Sequence, residues 1–379
     1  MVRPPRASLT APRFSSRLRS TALTSRLGRW LGVAFAVCFV TGLLSHAIQH
    51  PPAWFWWPSR PVGLYRVTQG LHVGTGLATI PLLSAKLWSV YPRLFTWPPL
   101  RSVAHALERA GIALLVAAAL FELVTGLLNI ALWYSPMPFG FIAAHFWTAW
   151  LAIGGLLLHV AVKLPVIRDA LNAPVDTGTA LSRRKLLGTV AATAGLVTLA
   201  TAGQTVRPLR RLSLLAPRRP DLGPQGLPVN TSAAAAGVTE AALDPAYRLV
   251  VTGPTGRLEL TYEELSTLAR RTADLPIACV EGWSAGARWT GVPVRDLLAR
   301  VGVPDGDTAV LVESMQTGGA YRTSVLAAPH TRDPLTLLAV RLDGQPLHVD
   351  HGYPCRLIAP NRPGVMQTKW VRAITVMQS

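Results

Sequence analysis

The sequence predicts an α-helical transmembrane bundle of about five spans, followed by an α+β domain of about 150 residues. Half of the 379 residues are apolar and only 15% are charged, which is less charge than a soluble protein of this length usually carries. Long apolar runs fill the chain up to residue 206, whereas short β-branched runs broken by Gly and Pro follow residue 247. Together these two patterns favour a membrane module with an attached water-exposed domain.

The net charge of +18 is confined to the apolar half of the chain. Residues 1–219 hold 23 Lys and Arg against 4 Asp and Glu, while residues 220–379 hold 14 against 15. A nucleic-acid-binding surface would need its basic residues on the folded polar domain. Because the basic residues instead flank apolar runs, as orientation signals do, we expect a lipid bilayer and no nucleic acid as partner.

Five apolar runs are long enough to cross a bilayer core of about 30 Å, which takes roughly 20 helical residues. They cover approximately residues 30–48, 67–90, 103–132, 141–164 and 186–206. The tail of residues 1–29 contains seven Arg and no acidic residue, so we expect it to stay in the cytoplasm and send the first helix outward. The aromatic cluster WFWWP at 54–58 then falls at the outer interface, where Trp is enriched.

The fifth run lies in the predicted segment 166–206, for which the sequence offers two interpretations. It follows Ser182-Arg183-Arg184-Lys185-Leu186-Leu187, which resembles a twin-arginine export signal. The alternative is a pair of ordinary positive-inside charges. In both cases four preceding spans keep these arginines inside and place residues 227–379 outside, after a Pro- and Arg-rich linker at 207–226. Five Arg of this linker region lie on the predicted outer side, against the charge rule.

Six of the nine histidines lie within or beside the apolar runs, where histidine is rare and usually functional. They are His46, His50, His72, His105, His145 and His159. His145 and His159 are 14 residues apart, which puts both rings on nearly one helix face and about 21 Å apart along the axis. This is the spacing of two haems stacked across a bilayer. We expect an outer haem held by His145 with His72 or His46, and an inner haem held by His159 with His105.

The pattern resembles the b-type cytochrome subunits that link quinones to respiratory enzymes, over roughly residues 30–165. The resemblance implies a four-helix module with two haem b groups, quinone or quinol as redox partner, and the plasma membrane of a bacterium. The alternative is a set of histidines that only bridge helices by hydrogen bonds. Glu122, in the middle of the third run, is either a proton or quinone site or a buried partner of a histidine or hydroxyl.

The polar half has alternating short strands and helices. The expected strands are RLVVTG, RLELT, AVLVES, RLIAP and AITVMQ, and the expected helices are TYEELSTLARR and VPVRDLLARVG. The first helix begins with Thr261 and Glu264 in a capping-box arrangement. In the stretch PIACVEGWSAGARWTG at 276–291, Cys279 stands at the head of an expected loop rich in Gly and Trp. An isolated cysteine in such a domain is commonly a small buried hydrophobic residue.

The residues around Cys279 nevertheless resemble the cysteine loop of the sulfite oxidase superfamily of molybdenum enzymes. The resemblance covers about residues 227–379. Its motifs, in order, are CVEGW at 279–283, WTGVP at 289–293, LL at 297–298, GGAY at 318–321, LLA at 337–339, DGQPL at 343–347 and HGYPCRL at 351–357, followed by Pro360, Gly364 and Lys369-Trp370. It implies a molybdopterin-binding oxidoreductase domain.

The resemblance also implies the roles of individual residues. Cys279 binds molybdenum as a thiolate, a soft ligand suited to this ion, beside two sulfurs from one pyranopterin. The remaining implied contacts are to the pterin or its phosphate: Asn230 and Thr231 begin the pocket, His351 lines it, and Arg356, Asn361 and Lys369 hold the cofactor through charge-assisted hydrogen bonds.

The loop after Cys279 indicates the substrate class. Sulfite-oxidising members carry a basic residue soon after the cysteine, whereas here Glu281 and Trp283 follow it and only Arg288 is basic. The CVE-W form is nearer to the bacterial methionine sulfoxide reductase branch. We therefore expect an S-oxide or N-oxide as small-molecule substrate. The alternatives are oxidation of sulfite or a related oxyanion, and a membrane sensor without catalytic activity.

Overall fold

The computed structural model describes residues 18–92, 100–172, 177–216, 218 and 222–377. The beginning of the basic tail and part of the linker lie outside the described residues. The chain forms two compact units, one made of Met1–Val40 and His72–Ala200, the other of Thr41–Leu71 and Thr201–Ser379. Thr41–Leu71 thus belongs to the same unit as the C-terminal domain, whereas the predicted membrane domain of residues 30–165 includes this segment.

Five long helices make up most of the N-terminal half: α1 Thr21–Gln49, α2 Leu64–Val90, α3 Val103–Ile130, α4 Phe141–Asn172 and α5 Thr177–Ala202. Among the described residues, four helices are long and apolar enough to cross a membrane by length and composition: Thr21–Gln49, Val103–Ile130, Phe141–Asn172 and Ser182–Thr205. Helix α2, which carries the second predicted run, is not one of them and contains Gln69, His72 and Lys86. The count of five spans is thus not confirmed.

Helices α3 and α4 pack against each other. Ser102 caps the start of α3, where its hydroxyl accepts a hydrogen bond from the backbone N–H of His105 at 3.1 Å. Gly155 on α4 faces Leu115 so closely that a Cβ would come within 3.4 Å of the Leu115 Cβ. Lys163 and Glu108 form an ion pair of 2.5 Å between the two helices. A small residue and an ion pair thus both lie at the contact between these two helices.

The C-terminal domain, beginning with short helix α6 Thr239–Leu243, contains two five-stranded sheets. The first has the order β2-β1-β10-β5-β6, with β1 parallel to β10 and the other pairs antiparallel. The second has the order β3-β4-β7-β8, and β9 also pairs with β7. The strands are β1 Arg248–Gly253, β2 Gly256–Thr261, β3 Arg271–Ala278, β4 Ser284–Pro293, β5 Val310–Ser314, β6 Thr323–Leu326, β7 Leu337–Leu342, β8 Gln345–Pro346, β9 Arg356–Ile358 and β10 Val371–Val376.

Burial alternates along the strands that were predicted from β-branched runs. Leu249 and Val251 of β1 are fully buried, as are Val310 and Val312 of β5. Each strand therefore turns one face to the larger cluster of buried hydrophobic residues in this domain, which we call the first core. Three further short helices complete the domain: α7 Tyr262–Leu268, α8 Val294–Ala299 and α9 Ala328–Thr331. The capping box of α7 is confirmed, since Thr261 and Glu264 satisfy each other's backbone N–H groups.

The predicted loop headed by Cys279 is shorter than its Gly- and Trp-rich composition indicates, because residues 284–291 pair with β3 as part of β4. Ile277, Ala285 and Trp289 are buried in a second cluster of hydrophobic residues, which we call the second core. Buried and less buried residues therefore alternate along these strands, a pattern that Gly and Pro obscure in the sequence. Gly291 lets β7 approach, since a Cβ there would lie 2.2 Å from the Leu338 carbonyl oxygen. Only Cys279–Trp283 remains outside the paired strands.

Candidate active site

Cys279 lies at the tip of the β3–β4 hairpin. Its backbone N–H donates to the Trp283 carbonyl at 2.8 Å, and its carbonyl accepts from the Gly282 N–H at 3.1 Å. Gly282 has φ of 94°, a left-handed conformation that glycine adopts without steric cost. The side chain of Cys279 is buried, with only 2% of the residue exposed. The sequence thus folds into a tight turn that fixes the position of the sulfur.

Two polar side chains surround the thiol. Asn230 Nδ2 lies 3.1 Å from Cys279 Sγ and also donates to Glu281 Oε1 at 3.0 Å. Trp283 Nε1 donates to the other carboxylate oxygen, Glu281 Oε2, at 3.1 Å. The predicted site residues Asn230 and Cys279 are therefore in contact, and the loop residues Glu281 and Trp283 hold the amide in place.

Burial dominates the acid–base properties of this group of residues. It raises the pKa of the Cys279 thiol far above its ordinary value, and the nearby Glu281 charge raises it further. Burial also raises the pKa of Glu281, although the hydrogen bond from Trp283 partly opposes this. A buried, protonated thiol is a poor nucleophile, but a soft metal ion can replace its proton. The chemistry of this donor fits a molybdenum ligand better than a nucleophile.

Among the residues that the structure describes, the buried cation Arg356 has no anionic partner. Its Nη1 and Nη2 donate to the carbonyls of His351 at 3.1 Å and Gln367 at 3.3 Å, and its guanidinium lies 5.1 Å from the Trp289 ring centre. Its Nε is buried and has no hydrogen-bond partner, and no ion pair links Arg356 to any carboxylate of the described residues. Burial lowers the pKa of Arg356 to about 9.

Lys369 and His351 lie beside Arg356. Lys369 Nζ donates to the Thr231 carbonyl and, at 2.9 Å, to the Asp350 carbonyl. Burial and the Arg356 charge lower the pKa of Lys369 to about 7. His351 donates from Nε2 to the Pro224 carbonyl at 2.6 Å, and burial lowers its pKa to about 4, so this ring is neutral. The predicted residues Thr231, His351, Arg356 and Lys369 are therefore brought together.

These residues fit an anionic pterin cofactor. Arg356 and Lys369 lie in a buried setting that lowers their pKa values. A bound phosphate or other anion would raise these pKa values again, because it stabilises the charged forms of both side chains. Among the described residues no group of three or more His, Cys, Asp and Glu could hold a metal ion. A metal at Cys279 would consequently take its other ligands from the cofactor.

Asn361 has a different environment from the other predicted pterin residues. Its Oδ1 accepts from the Tyr65 N–H at 2.6 Å, its Nδ2 donates to the Pro58 carbonyl at 2.6 Å, and its own N–H donates to the Val62 carbonyl at 3.1 Å. Both ends of the amide thus bind the stretch 58–65, and contact with a pterin stays a prediction.

The next residue, Arg362, was missed by the sequence analysis. It is buried, burial lowers its pKa to about 9, and its Nε has no hydrogen-bond partner within the described part of the chain. The sequence signal that could have found it was its position next to Asn361, between the family residues Pro360 and Gly364.

In the helical unit, His72 and His145 lie side by side. Their ring centroids are 6.3 Å apart and the ring planes are nearly perpendicular, at 78°. Nδ1 of His72 lies 2.9 Å from the Cys38 carbonyl oxygen. Nδ1 of His145 lies 3.0 Å from Glu122 Oε2 and 3.1 Å from Thr125 Oγ1. Glu122 is thus a partner of a histidine, which is one of the two alternatives left open by the sequence.

The other predicted haem ligands are His46, His105 and His159. His145 and His159 share helix α4, whereas His105 begins α3 and accepts from the Arg101 N–H at 3.3 Å through Nδ1. The Glu108–Lys163 ion pair lies within about one turn of His105 and of His159, so both histidines occur toward the same end of the α3–α4 pair. His46 contacts His50, with ring centroids 4.9 Å apart and ring planes tilted by 45°.

Comparison with known proteins concerns the C-terminal domain as a whole. Residues 236–379 match the family described as oxidoreductase molybdopterin binding domain. The C-terminal domain is a molybdopterin-binding oxidoreductase domain. Mitochondrial sulfite oxidase of Homo sapiens is 33% identical over 162 residues, which cover 35% of this chain and 30% of the relative. A protein of Azospira oryzae, named as protein-methionine-sulfoxide reductase subunit YedZ1, is 32% identical over 134 residues, which cover 35% of this chain and 50% of the relative.

Among solved structures, the sulfane dehydrogenase SoxCD of Paracoccus pantotrophus is 25% identical, with a TM-score of 0.32, over 36% of this chain and 40% of that one. This score is too low to support a structural argument. The chain spans half or less of the length of these relatives. Sequence similarity therefore assigns the domain to the sulfite oxidase superfamily.

Proposed function

We propose that this chain is a membrane-bound molybdenum oxidoreductase that takes electrons from quinol through haem b and uses them to reduce a small S-oxide or N-oxide. The observation that carries the proposal is the fixed hairpin tip, where buried Cys279 contacts Asn230 within a domain of the molybdopterin-binding family. The overall reaction is balanced: one S-oxide and one quinol give one sulfide, one quinone and one water, so two electrons and two protons are transferred.

The molybdenum–molybdopterin cofactor would be held at one end by Cys279 and at the other by Arg356 and Lys369. When bound, it supplies two-electron transfer of an oxygen atom. Thr231 and His351 line the pocket, and the Asn230 amide fixes the Cys279 sulfur through its hydrogen bond. Glu281 accepts from the same amide through Oε1 and so helps to fix the position of Asn230.

The geometry of His72 and His145 supports the outer haem. Their ring centroids are 6.3 Å apart, and the two rings would together hold one haem, which supplies single-electron transfer when bound. Because hydrogen bonds occupy Nδ1 of both rings, Nε2 would be the ligating atom in each, with the ring orientation set by Cys38, Glu122 and Thr125. We favour His72 over His46 as the partner of His145, and we retain His105 with His159 for an inner haem.

The membrane arrangement completes the proposal. Helix α2 has 27 residues, which exceeds the roughly 20 residues needed for a span, so we count it as the fifth. The basic tail then lies in the cytoplasm of a bacterium, Arg183-Arg184 precede the last span as an export signal, and the molybdopterin domain lies at the outer face of the plasma membrane.

Oxidation of sulfite is the second candidate, favoured by the sulfite oxidase relatives. Against it stands Glu281, which shares the Asn230 amide with the Cys279 sulfur and would repel a dianion when ionised. The sensor alternative requires a domain that binds no metal.

The test uses the full chain purified from membranes. Its molybdenum and haem contents are measured, and it is assayed with a reduced quinone analogue and either dimethyl sulfoxide, free methionine sulfoxide or trimethylamine N-oxide. We expect reduction of at least one oxide and slower oxidation of sulfite. Robust sulfite oxidation without oxide reduction would select the second candidate, and a metal-free protein without either activity would select the sensor.

A further inference from the structure

The hairpin tip that bears Cys279 is held by residues that come from outside the C-terminal domain's own strands. Ala278 packs in one cluster with Ile48 and Tyr65. The Val280 carbonyl accepts from Gln69 Nε2 at 2.7 Å. Both residues adjacent to Cys279 are therefore contacted by Thr41–Leu71, which we call the cover segment.

A chain of hydrogen bonds continues across the cover segment to the other side of the site. Tyr321 donates from its hydroxyl to Gln49 Oε1 at 2.9 Å, Gln49 Nε2 donates to the Ser45 carbonyl at 3.0 Å, and the hydroxyls of Ser45 and Tyr65 are 3.1 Å apart. The cover segment is thus bonded to Tyr321 as well as to Val280 at the hairpin tip.

Two polar connections fasten the cover segment to the domain. Arg60 donates from Nε and Nη2 to the two carboxylate oxygens of buried Asp333, at 2.8 and 3.0 Å. Asn361 binds the stretch 58–65 as described above, and Trp57 Nε1 donates to the Asn361 carbonyl at 2.8 Å. Bidentate charge-assisted pairs are strong and geometrically specific. The segment is therefore a fixed part of this unit.

We propose that the cover segment restricts the Cys279 site to small diffusible S-oxides and N-oxides and excludes methionine sulfoxide within a protein chain. An oxidised residue in a protein brings its own backbone and neighbours to the site and needs an open surface around the metal ligand. Here Phe55 and Trp57 pack against the cluster of Ile48, Tyr65 and Ala278, so the cover segment covers the hairpin tip at the residue before Cys279. This inference rests on the proposed oxide reduction and names its substrate class.

The first test compares substrates. The full chain with its cofactors is assayed with free methionine sulfoxide and with oxidised casein, in its native sequence and as Arg60→Ala and Asn361→Gly. Glycine keeps the φ of 53° at residue 361 while removing the amide. Arg257→Ala is the control, because Arg257 is exposed and pairs with exposed Glu259 on β2. We expect the native chain to prefer the free substrate by about 100-fold in kcat/KM, and both cover variants to reduce that preference by about tenfold.

The second test needs no activity. Hydrogen–deuterium exchange of the 279–283 amides in the full chain should rise about tenfold in Arg60→Ala and Asn361→Gly and stay unchanged in Arg257→Ala. Equal reduction of free and casein-bound methionine sulfoxide by the native chain would overturn the inference, as would exchange that is the same in all four proteins. If molybdenum is bound and exchange responds as expected but no S-oxide is reduced, the proposed function fails while the cover itself is confirmed.

Discussion

Replacement of Asn230 tests how the site holds its metal ligand. The side-chain amide makes two hydrogen bonds, one to the Cys279 sulfur at 3.1 Å and one to Glu281 Oε1 at 3.0 Å. A hydrogen bond contributes about 0.5–1.5 kcal/mol net. Asn230 itself is exposed, so water can replace the amide in part. We therefore expect Asn230→Ala to lower the free energy of unfolding of the cofactor-free chain by about 1–2 kcal/mol.

The matched variant Asn230→Asp should be more damaging. It places a second carboxylate beside Glu281, which is 7% exposed, and beside the thiol. Two like charges at hydrogen-bond distance force one group to bind a proton. The cost is greatest at pH 8, where both carboxylates tend to ionise, and it decreases as the pH falls toward 5 because one of them becomes protonated.

The assay is thermal unfolding of the cofactor-free full chain between pH 5 and pH 8, followed by near-ultraviolet circular dichroism. For a domain of this size, about 1 kcal/mol corresponds to roughly 2–4 °C in Tm. We expect Asn230→Ala to lower Tm by about 2–8 °C with little dependence on pH, and Asn230→Asp to lower it further at pH 8 than at pH 5. An Asn230→Asp protein as stable as the native one at pH 8 would refute the contact with Glu281.

Three other predictions address the haems, the anion pocket and the topology. His145→Ala and His159→Ala should each remove about half of the haem absorbance of the purified chain, because each ring ligates one iron; unchanged spectra in both variants would contradict the two-haem arrangement. In cofactor-free protein the folded-state pKa of Lys369 is about 7, whereas its ordinary value is 10.5. Because the unfolded chain then binds the Lys369 proton more readily than the folded chain, the free energy of unfolding should fall as the pH is lowered from 9 to 7. Lys369→Met should flatten this pH profile of chemical unfolding, and a profile unchanged by the substitution would disprove the lowered pKa. Protease added to intact cells stripped of their wall should cut near 207–219, and cleavage only in inverted vesicles would reverse the proposed orientation.

The strands of the first sheet could be predicted because their β-branched residues alternate with polar ones, as at Leu249 and Val251. The β3–β4 hairpin could not, because its buried positions include Ala285 and Trp289 in a stretch rich in Gly, where composition indicates a loop. The grouping of Cys279 with Asn230 followed from a resemblance to a family, and no periodicity or spacing would have given it.

The cover segment shows a second limit of sequence analysis. Its attachment depends on single polar pairs far apart in the chain, Arg60 with Asp333 and Asn361 with the stretch 58–65. No local pattern marks such pairs. Similarly, the choice between His72 and His46 as partner of His145 needed the measured ring separation, since both lie at a similar predicted depth.

The most direct test of the central claim, that Cys279 is the molybdenum ligand, is the molybdenum electron paramagnetic resonance signal of Cys279→Ser compared with Cys355→Ser. Cys355 is also fully buried, its pKa is raised to about 12 by burial, and its sulfur lies 3.2 Å from the Tyr247 hydroxyl within the first core. A hydroxyl is a harder and much less acidic ligand than a thiol. We expect Cys279→Ser to lose the native signal and all turnover while keeping its haem, and Cys355→Ser to keep both signal and turnover at some cost in stability. An unchanged signal with full turnover in Cys279→Ser would contradict the account.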